Sequence, residues 1–129
     1  MLLYRTPESF TESWPVAYSF TQAPRKEHFN NIQLMLFTMS TCGACHRRKE
    51  ELCKTVAGVE ALGLNTVHIV YDRHSAQFRQ INTMCELYNV QQFPTVLYRA
   101  SGTGQIQSWP IDKPLSELVS FLATTAAFP

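Results

Sequence analysis

The stretch Gln33-Leu34-Met35-Leu36-Phe37-Thr38-Met39-Ser40-Thr41-Cys42-Gly43-Ala44-Cys45 decides the reading of this chain. Leu34 to Phe37 is a short, nearly continuous apolar run, the pattern of a strand covered on both faces. The two cysteines follow directly. From Gly43 to about Gly58, Ala44, Leu52, Val56 and Ala57 interrupt a charged stretch, which predicts a helix that Gly58 is placed to stop. Cys42 then falls at a helix start, where unpaired backbone N–H groups and the positive dipole end favour a thiolate. The two intervening residues let the sulfurs of Cys42 and Cys45 approach on one helical turn, so a reversible disulfide between them is expected. His46, Arg47, Arg48 and Lys49 come next; cations in a first helical turn oppose the dipole preference and call for a solvated-face or an electrostatic explanation, and Arg47 to Lys49 read as a solvated face.

Upstream of this stretch, Val16 to Phe20 suggests a short strand, and Thr21 to Asn31 a short helix with Pro24 near its first turn. Downstream, Thr66 to Tyr71 alternates as a second strong strand. Ser75 to Tyr88 sets Phe78, Ile81, Cys85 and Tyr88 at helical spacings. Val96 to Tyr98 and Gln105 to Trp109 flank Ser101-Gly102-Thr103-Gly104, which reads as a hairpin loop. A closing helix from Pro114 to about Ala123 carries Leu115, Leu118, Val119 and Leu122 on one face. The order β-α-β-α-β-α-β-β-α implies an α/β fold, with a central mixed β-sheet flanked by helices. Residues 1–13 read as an N-terminal extension and 14–129 as the domain.

Composition bounds the function. With 129 residues, 45% hydrophobic and 16% charged, the chain fits one domain with its own core. A formal charge of +1 supplies no broad field for nucleic acid or an anionic membrane. The longest mostly apolar stretch, Ile32 to Met39, is far below the ~20 residues needed to span a bilayer. The start Met1-Leu2-Leu3-Tyr4-Arg5 shows no basic segment followed by an apolar core, so a cytoplasmic, reducing location is expected. Four cysteines, Cys42, Cys45, Cys53 and Cys85, are too few for a disulfide scaffold; Cys53 and Cys85 are expected as buried, reduced thiols.

Two other chemistries fit parts of the pattern. Cys42 to His46 spells C-x-x-C-H, the attachment signature of c-type haem, but no export signal accompanies it and a buried strand runs straight into it. A zinc site from Cys42, Cys45 and Cys53 with His46 or Cys85 lacks the usual second closely spaced ligand pair. Neither a metal nor a cofactor is therefore expected.

Cys42-Gly43-Ala44-Cys45 after a buried strand, together with Tyr88-Asn89-Val90-Gln91-Gln92-Phe93-Pro94-Thr95-Val96 ahead of the hairpin, resembles the thioredoxin superfamily over about residues 14–123. The resemblance implies a thioredoxin-like fold and a cis Phe93-Pro94 bond lying against the redox pair. It implies a groove for disulfide-containing protein substrates formed by Thr41, Gly43, Ala44, Phe93, Pro94 and Thr95. Cys42 would be the nucleophile, Cys45 the resolving thiol, and a thioredoxin-reductase-like protein or glutathione the electron donor, with the protein a monomer. Thioredoxin proper carries a tryptophan before the first cysteine and a proline inside the pair, where this chain has Thr41 and Ala44; its buried aspartate is replaced by Leu36. His68 lies near the family's lysine and is the candidate proton relay to Cys45, the competing reading being a satisfied strand histidine. Trp14 and Trp109 read as packing residues, with Trp109 near the family's partner groove. The alternative from another class is a redox-inert binding module that uses the same fold.

Overall fold

The computed structural model describes residues 13–100 and 104–127. Strands β1 (Leu34–Met39), β2 (Thr66–Tyr71), β3 (Thr95–Arg99) and β4 (Ile106–Ser108) form one sheet in the order β2-β1-β3-β4. β1 runs parallel to β2, with Leu36 opposite His68, and antiparallel to β3, with Leu36 opposite Val96. β4 pairs antiparallel with β3. The helices are α1 (Gly43–Arg47), α2 (Lys49–Ala61), α3 (Phe78–Leu87) and α4 (Leu115–Ala127). Among the described residues no helix is long and apolar enough to cross a membrane.

β1 is interior to the sheet, and its apolar run is explained by having a core on each side. Alternation sends Leu34 and Leu36 into a cluster with Leu52, Val56 and Val59 of α2 and Leu115, Leu118 and Leu122 of α4. Met35 and Phe37 enter the opposite cluster with Phe20, Phe29, Ile81 and Met84. Each such side chain stabilises the fold by about 1.5–3 kcal/mol relative to exposure. These two layers fix the end of β1, and hence the position of the cysteine turn.

The expected single helix after the cysteines is two. Arg48 leaves helical geometry at φ −104, ψ 13 between α1 and α2, and its guanidinium is held by Glu51 at 2.9 Å and by the Ile111 carbonyl at 2.7 Å. Gly58 does not stop α2. A Cβ there would lie 3.3 Å from Val119, so Gly58 lets α4 approach closely. Gly63 makes the stop instead: it takes φ +82, with Gly63 N–H to the Glu60 carbonyl and Leu64 N–H to the Val59 carbonyl. Asn89, at φ +56, ends α3 in the same way and turns the chain toward Pro94.

The N-terminal expectations are corrected. Residues 16–20 form no strand: Tyr18 N–H reaches the His68 carbonyl at 2.8 Å, but the Phe20 N–H and carbonyl are both taken by the Gln77 amide. Val16 is 92% exposed, so the segment buries no alternating face. The helix expected over 21–31 is only a 3₁₀ turn, Lys26–Phe29. Its exit is held by Arg99, which donates to the carbonyls of Phe29, Asn30 and Ile32 at 2.9–3.0 Å. Except for Ser13, the expected extension lies outside the described residues, as do 101–103 of the expected hairpin loop.

Candidate functional site

The turn after β1 is fixed by backbone bonds: Ser40 N–H to the Tyr71 carbonyl and Cys42 N–H to the Met39 carbonyl. Cys42 is extended at φ −85, ψ 116 and caps α1. Its Sγ accepts the N–H of Cys45 at 3.2 Å, the role a serine or aspartate oxygen plays at other helix starts. As a thiol, Cys42 also donates to the Phe93 carbonyl at 3.3 Å. The Phe93-Pro94 bond is cis, Pro94 is buried, and the Phe93 ring lies 5.3 Å from that of Tyr71. The β3 approach loop and the cysteine turn therefore meet at the sulfur of Cys42.

These contacts separate the two thiols. Burial works against an anion at Cys42, but hydrogen bonds from the Cys45 thiol and from the backbone of Cys45 and Ala44, with the Arg47 charge, outweigh it and hold its pKa below the ordinary thiol value. Cys45 is pushed up to about 12, first by burial and then by its hydrogen bond to Cys42, with the Met39 backbone only partly countering. The first proton lost from the pair thus comes from Cys42, while Cys45 keeps its own and donates it toward the new anion. Gly43 leaves the space that Arg47 uses, since a Cβ there would lie 3.1 Å from the guanidinium.

The other sequence-selected residues are placed as follows. Thr41 and Gly43 are exposed and Ala44 half-buried on the turn, while the Thr95 hydroxyl donates to the Gln92 carbonyl just beyond Pro94. His68 is 3% exposed and has both ring nitrogens occupied, Nδ1 by the Pro15 carbonyl at 2.9 Å and Nε2 by the Thr38 hydroxyl at 2.8 Å. The carbonyl accepts, so Nδ1 carries the proton and Nε2 accepts from Thr38. No hydrogen bond joins His68 to Cys45 among the described residues, and the satisfied strand histidine describes its position. Burial lowers its pKa, with the Pro15 bond only partly opposing. Trp109 is buried and donates to the Lys113 carbonyl, a core role. Leu36 is 1% exposed within its apolar cluster, so the position where the family resemblance implies an acid is filled by an apolar side chain.

Cys85 is buried on α3, whereas Cys53 is half-buried and donates to the Ser13 carbonyl at 3.6 Å, so the expectation of burial holds for the first and only partly for the second. Cys42, Cys45 and Cys85 are free thiols. Among the described residues, no group of three or more His, Cys, Asp or Glu is arranged to hold a metal ion. Sequence reading did not single out Thr38, although alternation along β1 puts it on the same face as Leu36. Nor did it foresee Trp14 stacking on His68 at 5.6 Å, because that contact spans distant parts of the chain.

No protein-family profile matches the chain, and no curated protein sequence matches it. Solved structures do. The J-Trx1 fragment of ERdj5 superposes with a TM-score of 0.56 at 18% identity, covering 79% of this chain and 47% of that one. The first two thioredoxin domains of Saccharomyces cerevisiae Eps1p give 0.49 at 14% identity, covering 83% and 41%. This chain thus spans less than half the length of either solved chain. Taken with the sheet order and the flanking helices, the first superposition shows that the chain has the thioredoxin fold, with Cys42 and Cys45 at the end of its interior strand.

Proposed function

We propose that the protein is a thiol-disulfide oxidoreductase. The observation that carries this reading is the asymmetry of one turn: the Cys42 sulfur accepts the Cys45 N–H at 3.2 Å, while Cys45 is buried and held protonated. In the proposed reaction the Cys42 thiolate attacks one sulfur of a protein disulfide. The substrate S–S bond breaks and its electron pair leaves on the other substrate sulfur. Cys45 then loses its proton and attacks Cys42 Sγ, releasing the second substrate thiolate. The substrate gains two electrons, and Cys42 and Cys45 end as a disulfide. The Phe93 carbonyl and the backbone around Pro94 border the attacked bond.

Turnover as a reductase requires a donor of two electrons, for which a thioredoxin-reductase-like protein or glutathione is part of the proposal, as is a reducing, cytoplasmic setting. The test is reduction of a disulfide substrate by the pre-reduced chain and by Cys42→Ser. The reading expects activity in the first and none above background in the second. Inactivity of the pre-reduced wild type, or full activity of Cys42→Ser, would instead leave the redox-inert binding module.

A further inference from the structure

α1 is a single turn, and of its residues Gly43–Arg47 only Cys45 is buried. A helix this short gains too little from its own hydrogen bonds to hold a fixed direction, and depends on what anchors its ends. At its head, the Cys45 N–H points at Cys42 Sγ at 3.2 Å, and the Ala44 backbone donates to the same sulfur. At its foot, the Arg48 N–H closes the turn on the Ala44 carbonyl at 3.2 Å, and there the backbone leaves helical geometry before α2. What fixes the foot of α1 therefore bears on how the donors at its head meet the sulfur.

The Arg48 side chain is that anchor. Its Nε and Nη2 donate to Glu51 Oε1 at 3.0 and 2.9 Å, and its Nη1 donates to the Ile111 carbonyl at 2.7 Å. The other Glu51 oxygen, Oε2, accepts the Leu115 N–H at 3.2 Å, at the start of α4. One guanidinium and one carboxylate, both partly buried, thus tie the α1–α2 junction to partners 63 and 64 residues further along the chain. The exposed pair Lys54–Glu50, in contrast, joins neighbouring turns of α2. Packing of α2 on α4 has its own apolar seam, in which Leu52, Val56 and Val59 meet Leu115, Leu118 and Leu122 and Gly58 admits Val119. α1 has no such seam beyond Cys45.

We infer that Arg48 and Glu51 are positioning residues for the Cys42–Cys45 pair: they hold the foot of α1 so that the N–H groups at its head stay aimed at Cys42 Sγ. The inference deepens the redox reading above and rests on it for its consequence, a sulfur kept ready to attack. Both residues act through α1 and not on the reacting atoms. A guanidinium serves here because its planar fork donates in two directions at once, which a lysine ammonium on a flexible stem does not reproduce.

The experiment follows initial iodoacetamide labelling of Cys42 against pH in the reduced full chain, with Cys85 in the same peptide mass maps as the check on general loosening. Charge and position predict different outcomes. Removing the Glu51 anion by Glu51→Gln would by charge alone favour the Cys42 thiolate, and Arg48→Lys would by charge alone change nothing. By position, both weaken the clamp: the glutamine N–H₂ cannot accept from Arg48 or Leu115, and the lysine cannot reach Glu51 and Ile111 together. The Cys42 midpoint is therefore expected to rise in both variants, with labelling below the midpoint about fivefold slower in each, the worth of roughly one weakened hydrogen bond, while Cys85 stays protected. An unmoved midpoint in either variant overturns the inference, as does faster labelling in Glu51→Gln. Slowing that appears only together with labelling of Cys85 also overturns it, since the pair would then be a general brace. All of these are read on the free thiols, so they stand apart from the redox reading, which the disulfide-reduction assay tests.

Discussion

Cys42 and Cys85 are almost equally buried, at 8% and 6% exposure, yet the fold treats their sulfurs in opposite ways. Cys85 lies on α3 in the cluster of Phe20, Met35, Phe37 and Met84, where burial, with the Glu86 charge adding to it, pushes its pKa up to about 11. Burial opposes an anion at Cys42 as well, but less heavily, and Cys42 stands at a chain turn where N–H groups and a thiol are already aimed at its sulfur. Surface exposure alone therefore does not set the acidity of a thiol in this molecule. The two sites differ both in how heavily burial weighs on the sulfur and in the supply of donors, which a helix start provides and a helix interior, with its N–H groups already bonded, does not.

The largest expected effect is on the cysteines themselves. Cys42→Ser abolishes disulfide reduction, whereas Cys85→Ser keeps activity and loses about 1–3 kcal/mol of stability, because a hydroxyl enters an apolar cluster. Urea unfolding beside the reduction assay separates these outcomes; loss of activity in both would erase the distinction. The next effect concerns the missing acid. Leu36→Asp speeds release of a mixed disulfide on Cys42 on the order of a hundredfold by accepting the Cys45 proton, while Leu36→Asn does not. Stopped-flow resolution measures it, with circular dichroism to verify the fold, and equal rates in the two variants exclude a proton-transfer limit.

His68 supplies a third test, on stability. Its folded pKa lies below the ordinary 6.5 because burial disfavours the charged ring. The unfolded chain therefore binds the extra proton first as pH falls. The stabilising contribution of neutral His68 is full above about pH 6.5 and is lost as pH drops from there toward the folded value. Unfolding at pH 7.5 and 5.5 should show this fall in the wild type and less of it in His68→Gln; equal falls would remove His68 as the cause. Smallest is the effect of Arg47→Gln, which raises the Cys42 pKa slightly as one exposed positive charge is removed. Iodoacetamide rates against pH detect it, and no shift would leave the backbone donors and the Cys45 thiol as the whole cause.

The order of the main elements was legible because β1, β2, α3 and α4 each carry a periodic apolar pattern that matches what they bury. β2 spans the predicted Thr66–Tyr71 without change. The cysteine turn was legible for a similar reason: a strand pattern changes to a helix pattern at Cys42. Residues 16–31 were misread because their backbone groups are satisfied by distant side chains, Gln77 at Phe20 and Arg99 at Phe29, Asn30 and Ile32. No local periodicity records such contacts. Gly58 and Gly63 show the same limit, since only the presence of Val119 distinguishes a glycine that admits a neighbouring helix from one that ends its own. His68 was placed on the right strand, but its partners Pro15 and Thr38 lie far away in sequence.

The most direct test is to follow initial alkylation of the fully reduced chain across pH, resolving Cys42, Cys45 and Cys85 by peptide mass mapping. Cys42 should label along a curve with its midpoint below the ordinary thiol value, with Cys85 near 11 and Cys45 near 12 labelling only at much higher pH. Labelling of Cys45 at lower pH than Cys42, or of Cys42 together with Cys85, would contradict the claim that donors at the head of α1 make this one sulfur reactive.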